Sequence, residues 1–285
     1  MTATIIDGTA TAAEARARVA SALQAAGSPS VTLATVLVGD DPPSQRYIRG
    51  KAKASQEVGI TSRHTDLPAT SSQAQVEDVV AALAADPTVH GILVQLPLPE
   101  GLDSRPVINL IPPAKDVDGL TDASLGRLVQ GVEGHVGATP RGVMQLLARY
   151  DVPISGKRAV VIGRSLLVGL PVSLLLARKG TDATVTMAHS RTPDLLEVCR
   201  AADIIIAAAG SAHMVTRDHV KPGAAVIDVG VSRTAEGIVG DVDFDAVVEV
   251  AGWLTPMPGG TGPMTIACLL ENTLDAARMA GALSA

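Results

Sequence analysis

Aromatic residues are scarce in this chain: one Phe, one Trp and two Tyr among 285 residues. A core without them must be built from Ala, Val, Leu and Ile, which suits close packing of helices on sheets. Cysteine is scarce as well. Cys199 and Cys268 lie far apart with no metal-type spacing, which excludes a disulfide framework and leaves buried free thiols in a reducing compartment as the expectation. No metal site is expected. There is no Lys/Arg-rich run, and the formal net charge is −6, so a non-specific nucleic-acid surface is excluded. No apolar run of about 18 residues escapes a charge or a breaker, so no membrane span is expected. The opening Met1-Thr2-Ala3-Thr4-Ile5-Ile6-Asp7 has neither the basic region nor the apolar core of a secretion signal, and the expectation is a cytoplasmic protein.

What the chain does have is aliphatic alternation. Hydrophobic residues make up 47% and charged residues 18%, a globular balance. The pattern predicts helices over Glu14–Ala26, Gln45–Val58 and Ser72–Ala84, with strands at Val31–Val38 and Gly91–Leu96. A helix over Pro140–Tyr150 follows, with Thr139 as its N-cap and proline at its first position. A second series begins with strand Arg158–Ile162. It continues through helix Pro171–Lys179, strand Thr184–Ala188, helix Pro193–Ala201, and strands Ile204–Ala208 and Ala225–Val229, and a weak pairing near Gly237–Asp241 completes the sheet. Continuous aliphatic strands separated by helices predict parallel sheets covered on both faces. The fold class is therefore α/β, with two α/β domains and a cleft between them. The first spans 1–140 with the C-terminal helix of about 264–285, and the second, 141–263, is of Rossmann type.

The second series opens on a phosphate-type turn. Strand Arg158–Ile162 runs into Gly163-Arg164-Ser165-Leu166-Leu167-Val168-Gly169, and a helix starts there, where free N–H groups and the helix dipole favour an anion. The spacing is G-x-S-x-x-x-G rather than G-x-G-x-x-G, so an ordinary tight turn is the alternative. The next strand ends in His189-Ser190-Arg191-Thr192 and lacks the acid that holds the ribose hydroxyls of NAD. Arg164 and Arg191 offer guanidinium forks for a 2′-phosphate and Ser190 a hydroxyl, which predicts NADP as the cofactor.

Three pieces of the first half carry candidate chemistry. Tyr47 and Lys51 are spaced i and i+4 on one helical face, a possible proton-transfer pair, although a solvated lysine beside a half-buried tyrosine is the plainer reading of that spacing. Gln95 is a lone polar residue at the end of an aliphatic strand and needs a partner if buried. Lys115-Asp116-Val117-Asp118-Gly119 places two acids in a loop, suited to a cation, an amine or an amide-like ring, or simply to a capped turn.

Taken together, these segments resemble the bifunctional methylenetetrahydrofolate dehydrogenase/cyclohydrolase family. The resemblance rests on eight segments in order: 38–51, 91–99, KDVDG at 115–119, TPRG at 139–142, GRSLLVGLP at 163–171, HSRT at 189–192, 221–231 and TPMPGGTGPMT at 255–265. It implies NADP-dependent oxidation of 5,10-methylenetetrahydrofolate to the methenyl form and hydrolysis of that cation to 10-formyltetrahydrofolate, a step of one-carbon metabolism and purine biosynthesis. It implies Lys51 as general acid/base, Tyr47 stacking on the folate, Gln95 modulating the lysine and Asp118 anchoring the pterin. Leu96, Pro258, Gly259, Gly260 and Pro263 would complete the folate wall. Thr139, Gly163, Arg164, Ser165, Ser190, Arg191 and Val231 would contact NADP. The implied partners are tetrahydrofolate substrates and a second copy of the chain in a homodimer, with no nucleic acid and no membrane.

Some family positions differ. Ala138 stands where the family often has Cys, Thr261 where it often has Val, and Gly50 precedes the lysine, where glycine costs about 1 kcal/mol in a helix. Two other readings are a monofunctional NADP-dependent dehydrogenase and a non-catalytic NADP-binding regulator. The intact Tyr47, Lys51, Gln95 and Asp118 set argues against both.

Overall fold

The computed structural model describes residues 2–235 and 237–283. The chain divides into two compact units. One comprises Ala13–Ala138 and the residues from Ile266 onward; the other comprises the residues through Ala12 and Thr139–Thr265. Sequence patterning assigned the first dozen residues to the first of these. They belong to the second because strand β1 (Thr4–Ile5) adds in parallel to a strand near residue 253.

After β1 and helix α1 (Gly8–Ala25), the first unit runs β2 (Thr32–Val38), α2 (Pro42–Val58), β3 (Thr61–Leu67), α3 (Gln73–Ala85) and β4 (Gly91–Val94). Two shorter helices follow, α4 (Ser104–Asn109) and α5 (Asp122–Gln130). Its sheet is parallel in the order β3-β2-β4. Every residue of β2 and β4 is buried, as a central parallel strand requires, and Val36, Ile92, Val76 and Val80 meet in one core. Strand β3, TSRHTDL, is an edge strand with no fully buried residue, and the hydrophobic pattern gave no sign of it.

Helix α2 begins at Pro42, earlier than the apolar period indicates. Asp41 caps it, accepting from Ser44 N at 2.9 Å, and the two prolines occupy its first turn, where no N–H is required. Gly59 ends it at φ 89°, a left-handed turn that glycine takes without strain. These two stops fix the rotational phase of the helix that carries Tyr47 and Lys51.

Helix α6 (Ala138–Arg149) leads to the second series: β5 (Arg158–Ile162), α7 (Gly169–Ala177), β6 (Thr184–Ala188), α8 (Leu195–Arg200), β7 (Ile204–Ala207), β8 (Ala225–Asp228), β9 (Ser232–Thr234), β10 (Gly237–Val239), α9 (Phe244–Val247), β11 (Trp253–Leu254) and α10 (Thr261–Met279). The main sheet is parallel throughout, in the order β1-β11-β8-β7-β5-β6. The expected pairing near Gly237–Asp241 does not complete this sheet. β10 instead folds back on β9 as a separate antiparallel hairpin, because the turn between them is too short for a parallel crossover. Thr139 is the second residue of α6 rather than its cap; its hydroxyl is spent on the Thr265 hydroxyl at 2.9 Å. Cys199 and Cys268 are buried and unbridged, and burial pushes the Cys199 thiol up to about 11. Among the described residues no helix is long and apolar enough to cross a membrane.

Candidate functional site

In the first unit the i, i+4 pair on α2 splits in an unexpected way. Lys51 is buried, 8% exposed, whereas Tyr47 is 45% exposed. Spacing puts the two on one flank but does not say which turn of the helix the core covers. Lys51 Nζ donates to Gln95 Oε1 at 3.0 Å, and Gln95 Nε2 donates to the Leu96 carbonyl at 2.8 Å. The second bond fixes the amide: its nitrogen is committed to a carbonyl, so its oxygen faces the lysine. Gln95 N is itself anchored on Val36 O at 2.9 Å, one step beyond the strand pairing.

The KDVDG loop resolves into separate duties. Lys115 Nζ donates to the carbonyls of Ala84 at 2.9 Å and Asp86 at 2.7 Å, closing the end of α3. Asp116 is buried, and its carboxylate accepts from Leu120 N at 3.1 Å and Thr121 N at 2.8 Å. It is the turn-former of the two acids. Asp116 also bridges in parallel to Ile92, so the loop runs alongside β4. Gly91 permits this approach, since a Cβ there would lie 2.7 Å from Val117 Cγ1. Asn272 then clamps the loop, donating to Val117 O at 2.7 Å and Val136 O at 2.8 Å.

Asp118 is left as the acid that senses Lys51. Burial pushes the Lys51 ammonium below its usual range, and the Asp118 charge opposes that shift. Burial pushes the Asp118 carboxyl up; Lys51 opposes this, and the Asp116 charge adds to it. A lysine whose ammonium is disfavoured by burial, beside an acid and an oriented amide, is suited to taking and returning a proton.

In the second unit Gly163 follows β5 at φ 127°, and a side chain there would strike the Ala208 carbonyl beyond β7. A side chain on Gly169, at the start of α7, would strike Gly163 O. Both glycines are therefore required by backbone packing. Ser165 Oγ accepts from Val168 N at 3.2 Å within this turn. In the strand order β5 has β6 on one side and β7 on the other, which is the switch point where doubly wound sheets bind ligands.

β6 lies next to β5, with Ile162 in register with Ala188. The turn after β6 is closed by His189 N donating to Thr192 Oγ1 at 2.9 Å and Arg191 N donating to His189 Nδ1 at 3.2 Å. Ser190, Arg191, Arg164 and Ser165 are all exposed. Among the described residues neither Arg164 nor Arg191 forms a salt bridge with a carboxylate. Two uncommitted guanidinium groups past adjacent strand ends, with no acid beside them, fit a dinucleotide carrying an extra phosphate. Val231 is exposed just after Gly230.

The 255–260 segment is held in place by α1. Thr9 N donates to Gly259 O at 3.0 Å, and Gly8 has no side chain because the Gly260 carbonyl occupies that space. Gly259 sits at φ 105°. Pro258 is exposed and Pro263 half-buried. Thr261, one of the unusual positions, is buried and donates to Asp228 O at 2.8 Å. Asp228 and Asp241, both buried, escaped the sequence reading. The available sign was an acid ending the aliphatic strand AVID.

A doubly wound parallel sheet with a glycine turn at its switch point, together with a unit holding a buried lysine bonded to an oriented amide, defines the class as a two-unit α/β dinucleotide enzyme. Family models narrow the class. The tetrahydrofolate dehydrogenase/cyclohydrolase catalytic domain matches residues 6–118, and the NAD(P)-binding domain of the same family matches residues 137–281. The chain belongs to this family. It is 56% identical over 98% of both chains to "Bifunctional protein FolD 2" of Frankia alni. Among solved structures, the FolD methylenetetrahydrofolate dehydrogenase/cyclohydrolase of Campylobacter jejuni superposes with a TM-score of 0.94, at 43% identity, covering 97% of this chain and 99% of that one. The Trypanosoma brucei methylenetetrahydrofolate dehydrogenase-cyclohydrolase, complexed with NADP cofactor and inhibitor, superposes at 0.92 with 38% identity and 98% coverage of both.

Proposed function

We propose a division of labour between the two units of this bifunctional enzyme, which oxidises 5,10-methylenetetrahydrofolate with NADP⁺ and hydrolyses the methenyl product to 10-formyltetrahydrofolate. The observation that carries it is the buried Lys51, held by Gln95 and sensed by Asp118. Asp118 accepts hydrogen bonds from the amino and ring N–H groups of the pterin, which fixes its orientation. Tyr47, exposed on the same flank of α2, offers its ring as a stacking face for the rest of the folate. Leu96, Pro258, Gly259, Gly260 and Pro263 supply apolar and backbone surface.

When bound, NADP⁺ supplies the hydride acceptor. Arg164, Arg191 and Ser190 would hold its 2′-phosphate, Gly163 and Ser165 would give the diphosphate a close backbone approach, and Thr139 and Val231 would line the site. Loss of the hydride leaves a methenyl cation, and a cation near Lys51 lowers the lysine's pKa further. Lys51 Nζ in its neutral form then takes one proton from the attacking water and delivers it to the ring nitrogen as the carbon–nitrogen bond opens, and the remaining hydroxyl proton leaves to solvent as the formyl C=O forms. Gln95 Oε1 keeps Nζ aimed through this exchange.

The same reading gives a cytoplasmic homodimer, with Ala13–Ala138 and the residues from Ile266 onward as the folate unit and the residues through Ala12 with Thr139–Thr265 as the NADP unit. Its support is the family resemblance. Analytical ultracentrifugation tests the dimer. The test of the function is a spectrophotometric assay on methylenetetrahydrofolate with NADP⁺ and NAD⁺ separately. Reduction of NADP⁺ coupled to appearance of the formyl product is expected; no reduction of either dinucleotide would refute the function.

A further inference from the structure

The turn after β7 exposes three successive backbone N–H groups, at Ala209, Gly210 and Ser211. Such a concave run of donors at a strand end is an anion cradle. Here the protein fills it from within. Asp241 Oδ2 accepts from Ala209 N at 2.7 Å and Gly210 N at 3.0 Å, and Asp241 Oδ1 accepts from Ser211 N at 2.7 Å. The adjoining Ala208 carbonyl fills the space that a side chain on Gly163, the first residue of the dinucleotide turn, would need.

Asp241 is held in turn by Asp228. Asp228 Oδ1 accepts from Asp241 N and Gly230 N, both at 3.0 Å, and Asp228 Oδ2 accepts from Val242 N at 3.0 Å. Gly230 and Gly240 are glycines because side chains there would strike the Asp241 and Asp228 carboxylates. Asp228 N donates to Thr255 Oγ1 at 2.7 Å, and its carbonyl accepts from Thr261. Both acids are buried, 1% and 0% exposed, at a site where an unpaired charge would be costly. Six short bonds to backbone N–H groups offset that cost, and each bond fixes a segment of main chain.

We infer that Asp241 is a positioning residue for the dinucleotide. Its carboxylate stands in for an external anion at the 209–211 turn and presets the backbone against which the Gly163 turn is packed, and Asp228 locks Asp241 and Gly230 in the same frame. The 209–211 amides consequently donate nothing to the cofactor phosphates; they are committed before it arrives. The inference rests on the reading of the Gly163 turn as the NADP site.

The test is amide hydrogen exchange on the free protein, paired with calorimetric NADP binding. In the free wild type the Ala209, Gly210 and Ser211 amides are expected to exchange slowly, and NADP should protect them little further. In Asp241→Asn those amides exchange faster, and the dissociation constant for NADP rises by about tenfold or more. Dinucleotide-free hydrolysis of methenyltetrahydrofolate then reports that the other unit is still folded. Where Asp241→Asn does not fold, Asp241→Ser, which keeps one acceptor, takes its place. Amides that are unprotected until NADP binds would overturn the proposal, as would a folded variant with wild-type NADP affinity. Failure of the underlying site reading is a different result: Arg164→Ala and Arg191→Ala would leave NADP affinity unchanged.

Discussion

Lys51 Nζ lies 3.0 Å from Gln95 Oε1, and the far side of that amide is pinned to the Leu96 carbonyl. The lysine therefore faces a neutral acceptor of fixed orientation. Gln95→Glu keeps the shape and places a full negative charge at the same atom, which favours the ammonium and raises the lysine pKa. The acid limb of the pH–rate profile for methenyl hydrolysis is expected to move upward by about one pH unit or more. An unmoved limb would separate that limb from Lys51.

Cofactor choice is predicted to rest on Arg191. Removal of an uncommitted guanidinium should weaken NADP by about tenfold, the order of one charge-assisted hydrogen bond at an exposed site, and leave NAD affinity unchanged. Titration of Arg191→Ala with both dinucleotides checks this, and an unaltered preference would dismiss the 2′-phosphate assignment.

Gly50 interrupts α2 one residue before the lysine. Its φ is not left-handed, and a Cβ there would sit 3.7 Å from Ile266 Cδ1, an ordinary contact. Gly50→Ala should stabilise the protein by about 0.5–1 kcal/mol through lost unfolded-state freedom. Urea unfolding measures the change, and destabilisation would mean that the helix needs glycine there for another reason.

Asp228 carries a pH signature. Burial pushes its carboxyl up from 3.8 to about 6, against the backbone N–H bonds it accepts. An acid with a raised folded-state pKa binds its proton more tightly when folded, so its contribution is complete below the unfolded value and is lost as pH rises through the folded one. The stability of wild type relative to Asp228→Asn should therefore increase as pH falls from 7 to 4, by up to about 3 kcal/mol. Denaturant unfolding across that range gives the sign, and a pH-independent difference would contradict it.

The sequence made some layers plain and hid others for physical reasons. The aliphatic strands β2, β4, β5, β7 and β8 were legible because burial on both faces demands continuous Val, Ile, Leu and Ala. Strand β3 was hidden because an edge strand facing solvent keeps polar residues. β1 and β11 were hidden because each is two residues long and their pairing spans about 250 positions of sequence. In KDVDG, residue type could not rank two aspartates. Only the backbone N–H groups of Leu120 and Thr121 show that Asp116 shapes the turn and leaves Asp118 toward the lysine. Spacing placed Tyr47 and Lys51 on one flank but said nothing of which was buried. The lysine is the buried one, the reverse of the plainer reading.

The central claim is that one buried lysine separates the two reactions. The decisive measurement follows both products in Lys51→Met, with methylenetetrahydrofolate and NADP⁺ as substrates and NADP affinity measured alongside. NADP is expected to bind as in the wild type, and methenyltetrahydrofolate is expected to be hydrolysed no faster than it is in buffer. Hydrolysis at the wild-type rate in that variant would contradict it.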